Sequence, residues 1–154
     1  MTALRRGLLL SIVVALATVP AGAAQAAAPD HAGAICTPVH ATGVGQDLGG
    51  GKTQATISVG RIVVGQTNAL FTPTPSEGAT VSFTGPIVFT SAAGTLTAQV
   101  AGTLDAATGD FQATSMSIAG TGLLRALNGT VTLAGQENLS TGAFTETITG
   151  RLCI

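Results

Sequence analysis

Glu146 is the polar side chain with the most chemical promise. It lies in the segment Phe144-Thr145-Glu146-Thr147-Ile148-Thr149-Gly150-Arg151-Leu152, where Phe144, Ile148 and Leu152 share its parity. Successive side chains of a strand alternate between faces, so Glu146 points into a core if those apolar residues do. A carboxylate taken out of water has a raised pKa, which suits a general acid or base, or an anchor for a ligand. Arg61 is the comparable basic residue. It falls on the parity of Ile57, Val59 and Val63 and would be the partner of Glu146 in a ligand site. A strand break at Gly60 would instead reverse the faces. A competing arrangement leaves Phe144 over a barrel end and turns Thr145, Thr147 and Thr149 inward. The sequence favours this second facing, because short strands at a barrel rim specify their facing weakly.

Other constellations argue against chemistry. His31 and His40 lie near Asp30 and Asp47, but no helical i,i+4 pair and no C-x-x-C supports a metal site, so both read as surface histidines. Gly45 to Thr53 brushes against a phosphate-binding loop, but Gly51 displaces Lys52 by one position and no helix pattern follows. There is no G-x-S-x-G, and both histidines precede the strand-rich region, which disfavours a serine hydrolase. The expectation is no catalytic residue beyond the weak candidate Glu146, no metal and no cofactor.

Cys36 and Cys153 lie near opposite ends of the chain. In an exported chain an isolated pair is most simply a disulfide. It would restrict the unfolded state by about 4–5 kcal/mol in the chain-entropy model, and it requires the two ends to meet. Export itself is read from the N-terminus. Arg5 and Arg6 precede an apolar run from Gly7 to Val19, and Ala24-Gln25-Ala26 fits a cleavage site. Residues 1–26 are therefore expected to be a signal peptide, on a Sec or a twin-arginine route.

Without residues 1–26 the chain carries four Lys/Arg against seven Asp/Glu, a balance of −3. A mildly acidic chain lacks the basic patch that nucleic acid or an anionic membrane surface requires. With no Trp, no Tyr and five Phe, it lacks stacking platforms for sugars or single-stranded nucleic acid.

The elements that must position these residues are strands. Residues 27–52 are rich in small residues and read as an N-terminal loop segment. The domain proper is expected over 53–154. Gln54–Val64, Ala79–Thr90 and Thr95–Leu104 alternate apolar residues with Thr, Ser and Gln. Pro86 marks an edge, a bulge or a break. A parity change between Phe111 and Met116 suggests a bulge in the next strand. Thr108-Gly109-x-Phe111 recurs as Thr141-Gly142-x-Phe144, two hairpin loops of one design. Leu123, Leu124 and Leu127 would cover a barrel end in a short helical turn. About eight short strands with almost no helix signal predict an all-β domain, a single antiparallel β-barrel, with a β-sandwich as the alternative. Ends tied by a disulfide favour the barrel, with first and last strands as neighbours.

From Ala79 to the C-terminus the chain resembles a group of small secreted bacterial β-proteins. They share a gapped signature close to VSFTGPIVFTSAAGTLTAQVAGTLDAATGDF and then GTGLLRALNGTVTLAGQENLSTGAFTETITGRLCI. More distantly, Gly120-Thr121-Gly122 and Gly129 resemble the allene oxide cyclase and dirigent-like barrels. The chain has Leu123-Leu124-Arg125 where such barrels often carry an aromatic, and no catalytic residue maps across position by position. The resulting expectation is a secreted, extracellular, non-catalytic barrel with a binding or structural role, its partner an extracellular protein or a small apolar ligand. The alternatives are a carrier of that ligand, and a barrel isomerase or cyclase acting through Glu146.

Overall fold

The structure is a computed structural model that describes residues 35–74 and 78–154. The expected signal peptide, Asp30 and His31 lie outside the described residues.

Among the described residues nine strands follow one another: β1 Cys36–Gly49, β2 Lys52–Val59, β3 Ile62–Leu70, β4 Thr72–Thr74, β5 Thr80–Ser91, β6 Gly94–Asp105, β7 Asp110–Gly120, β8 Asn128–Glu137 and β9 Ala143–Cys153. They are ordered β3-β2-β1-β9-β8-β7-β6-β5-β4, and β3 also pairs with β5. The result is a closed, antiparallel, eight-stranded barrel with β4 as an additional strand. Closure removes the exposed edges that a Thr/Val-rich chain would otherwise present.

The first and last strands are neighbours, paired from Cys36↔Cys153 to Gln46↔Ala143. Cys36 and Cys153 are register partners joined by a disulfide, with Cα atoms 4.0 Å apart.

β1 corrects the expected loop over residues 27–52. Cys36–Gly49 is a strand of 14 residues, and the barrel starts there rather than at 53. Its inward residues are Val39, Ala41, Gly43 and Gly45. Apart from Val39, these are Ala and Gly, which carry little β propensity of their own. What holds the strand is its neighbours, since β9 pairs along its length and β2 pairs along its second half.

Pro86 sits where the partner of β5 changes. On one side Ala69 of β3 opposes Ile87, and on the other Thr72 of β4 opposes Thr84. β5 itself runs on without interruption, and the break belongs to its neighbour. The suspected bulge is present in β7. Gln99 pairs with Ser117 and Val100 with Ser115, which leaves Met116 unpaired and exposed. Past the bulge Ser115 turns its hydroxyl to the next strand, where Oγ accepts the Val131 N–H at 2.9 Å.

The two Thr-Gly hairpins share their hydrogen bonds. Asp105 Oδ1 accepts the N–H groups of Ala107 and Thr108, as Asn138 Oδ1 accepts those of Ser140 and Thr141. Gly109 and Gly142 then take φ of 79° and 72°, the left-handed region that glycine enters without strain. The crossover before β8 forms one 3₁₀ turn, Gly122–Leu124. Leu124 and Leu127 are half-buried there, while Leu123 is exposed.

The interior is packed in two groups. One gathers Ala41, Ala55, Ile57 and Phe144, and the other Ala98, Val100, Ala113 and Leu133. Ile148 packs against both, so β9 links them.

Candidate functional site: a buried carboxylate in an apolar cavity

The strand ends joined by the β1–β2, β6–β7 and β8–β9 turns form one end of the barrel. At that end the interior is hollow, with a cavity of about 450 Å³. Its walls include Phe71, Phe83, Phe111, Phe144, Ile87 and Leu133. The rings meet in pairs: Phe71 and Phe83 lie 4.8 Å apart between centroids, and Phe111 and Phe144 meet edge to face at 5.9 Å.

Glu146 lines this cavity. Phe144, Glu146 and Ile148 face inward, while Thr145, Thr147 and Thr149 face water. This reverses the facing that the sequence favoured. The physical reason lies on β1. Gly45 opposes Phe144 and Gly43 opposes Glu146, so each larger side chain has a bare backbone to lie against. Threonine hydroxyls on the outer face are satisfied by water, whereas inside they would need partners of their own.

Glu146 is 8% exposed. Burial pushes its carboxyl up to about 7, because removing the charged form from water is unfavourable. Among the described residues no hydrogen bond or ion pair reaches it, and its oxygens open into the cavity. It is thus a buried acid held by packing, with no described protein group as its hydrogen-bond partner.

Two further carboxylates stand at the mouth. Asp47 ends the inward row of β1 and Glu137 ends that of β8, and both line the cavity. Glu137 has its carboxyl raised, first by burial and then by the negative charge of Asp47. Backbone contacts fix these positions. Asp47 N donates to Gly142 O at 2.7 Å, and Glu137 N donates to Gly109 O at 2.9 Å. Both Thr-Gly hairpins are therefore clamped onto the acidic residues of the rim. The parity signal for this rim was present in the sequence, since Val131, Leu133, Gly135 and Glu137 alternate in step.

Arg61 does not join Glu146. It lies in the turn between β2 and β3, at the opposite end of the barrel, and is exposed. Gly60, with φ of 60°, ends β2 and takes Arg61 out of the inward row. His40 is exposed on β1. Among the described residues no three His, Cys, Asp or Glu side chains converge to hold a metal ion.

No family model, curated protein or solved structure matches the chain.

Proposed function

We propose that the chain is an exported, non-catalytic β-barrel that binds a small, largely apolar ligand inside the barrel. The observation that carries this reading is the cavity of about 450 Å³ walled by phenylalanine and aliphatic side chains. Ligand sites are concave and mostly apolar, with a few polar groups that fix orientation. Export rests on the N-terminal sequence and accords with the Cys36–Cys153 disulfide, since disulfides persist in oxidising compartments.

The test is binding of the fluorescent probe N-phenylnaphthylamine to the exported protein and to Ala69→Trp, which fills the cavity from β3. Saturable binding by the wild type and its loss in a variant with the same circular dichroism spectrum are expected. Absence of saturable binding by the wild type, or undiminished binding by Ala69→Trp, would overturn the reading.

The isomerase or cyclase reading is second, favoured by the Glu146 carboxyl near 7, where a proton moves either way. It is weaker because acid–base catalysis needs an oriented carboxylate and a second group for developing charge. Among the described residues nothing hydrogen-bonds Glu146. Conversion of a bound ligand that stops in Glu146→Gln, read by mass spectrometry of the released ligand, would favour it over the carrier.

A further inference from the structure

We infer that the ligand is a cationic amphiphile, a small apolar body with one protonated amine, which enters amine first and pairs with Glu146. The inference rests on the cavity-binding reading and adds the chemical class of what is bound.

The buried carboxylate comes first. Glu146 is more than nine-tenths buried, faces an open cavity, and has no partner among the described residues. A buried charge without a partner is costly. A ligand ammonium supplies the partner and donates hydrogen bonds to both oxygens. A neutral apolar ligand would displace water from the carboxylate and replace none of its hydrogen bonds. An anionic ligand would meet Glu146 with a like charge.

The rim comes second. Asp47 and Glu137 line the mouth, and Asp105 and Asp110 belong to the turn beside it. Arg61, Arg125 and Arg151 lie at the other end, in the β2–β3 turn, after the 3₁₀ turn and near the end of β9. Lys52 is the described exception at the mouth end, and its side chain faces outward. Among the described residues charge is therefore segregated along the barrel axis, negative at the open end. Such a field focuses cations toward the mouth and repels anions from it.

The walls come third. The two phenylalanine pairs offer ring faces and edges to an apolar body, and ring faces attract an ammonium group. A bare metal ion is poorly matched to the same walls, which offer carbon where it needs oxygen.

Octylamine, octanol and octanoate share one apolar body and differ in charge. Their affinities at neutral pH, measured by isothermal titration calorimetry on wild type and on Glu146→Gln, separate the possibilities. Octylamine is expected to bind about tenfold or more tighter than octanol, as a charge-assisted hydrogen bond would give, and octanoate most weakly. In Glu146→Gln the amine should lose its advantage over octanol, while octanol binds at least as tightly as to the wild type because no carboxylate has to be stripped of water, which also shows that the variant cavity still takes up the apolar body. Equal affinities for amine and alcohol, or an amine advantage that survives Glu146→Gln, would overturn the cationic ligand and leave the cavity-binding reading standing. Binding of none of the three by the wild type would overturn both.

Discussion

Glu146 lies directly across the β1–β9 ladder from Gly43, with its side chain laid over that glycine. The same relation recurs two rungs away, where the ring of Phe144 covers Gly45, and elsewhere in the barrel, where Phe83 covers Gly102 and Phe111 covers Gly135. Large side chains thus occupy the space that glycines leave on neighbouring strands, a device that also stabilises glycine in sheets. A Cβ on Gly43 would stand 2.5 Å from Oε1 and 2.6 Å from Cγ of Glu146. Gly43→Ala must therefore push the carboxylate toward the cavity. A loss of about 1–3 kcal/mol of stability is expected, as for other overpacked sites, together with weaker probe binding. Unchanged urea midpoint and affinity in Gly43→Ala would show that the contact between Glu146 and Gly43 is dispensable.

Glu146 also makes stability depend on pH. Its carboxyl is raised from 4.5 to about 7 in the folded chain, so the folded state holds the proton more tightly than the unfolded one. Unfolding then releases a proton between those values, and stability falls as pH rises through this window. The penalty is absent below about 4.5, complete above about 7, and amounts to about 3 kcal/mol. Glu137, raised by burial and by Asp47, acts in the same direction. Urea unfolding at pH 5 and pH 8 should show the wild type losing stability with rising pH, and Glu146→Gln losing much less. Parallel profiles for the two proteins would rule out Glu146 as the source.

The disulfide and the β1–β9 ladder close the barrel at the same seam. The bond spans 117 residues of sequence, yet the ladder continues from it to Gln46↔Ala143 without its help. The double variant Cys36→Ser/Cys153→Ser should therefore keep the barrel and lose about 2–5 kcal/mol. Circular dichroism with thermal unfolding measures both. A variant that is unfolded at room temperature would mean that the ladder cannot hold the seam alone, and an unchanged Tm would mean that the bond adds nothing.

Strands that alternate Thr with large apolar residues were legible in the sequence, as in Thr95–Leu104, which lies within β6. The repeated hairpins were legible too, because the Asx side chain, the Thr hydroxyl and the positive φ of glycine act locally. β1 was hidden because after Val39 its inward row runs Ala41, Gly43, Gly45 and Asp47, and two glycines and an alanine announce no apolar period. Its existence depends on partners far away in sequence. The facing of Glu146 was hidden for the same reason, since the glycines that receive it and Phe144 lie on β1. Arg61 was placed on an apolar parity that Gly60 in fact ends. Burial of a carboxylate is a property of the closed barrel, and periodicity within one strand cannot report it.

Asp47 and Glu137 supply the last expectation. Asp47 raises the Glu137 carboxyl by charge repulsion, and its own Oδ1 accepts the Gly49 N–H at 2.8 Å. Asp47→Asn removes the charge and keeps an amide oxygen that can still accept from Gly49, so the β1–β2 turn should survive. Three changes are expected together. The Glu137 carboxyl should titrate lower, as read by NMR. Octylamine should associate more slowly at low salt, because the mouth has lost part of its field. Its association rate should also respond less to added salt, since screened attraction is the quantity removed. The affinity of octanol, which carries no charge, should stay the same. If octylamine and octanol slow together in Asp47→Asn, the substitution has altered the shape of the mouth, and steering by the acidic rim is not the cause.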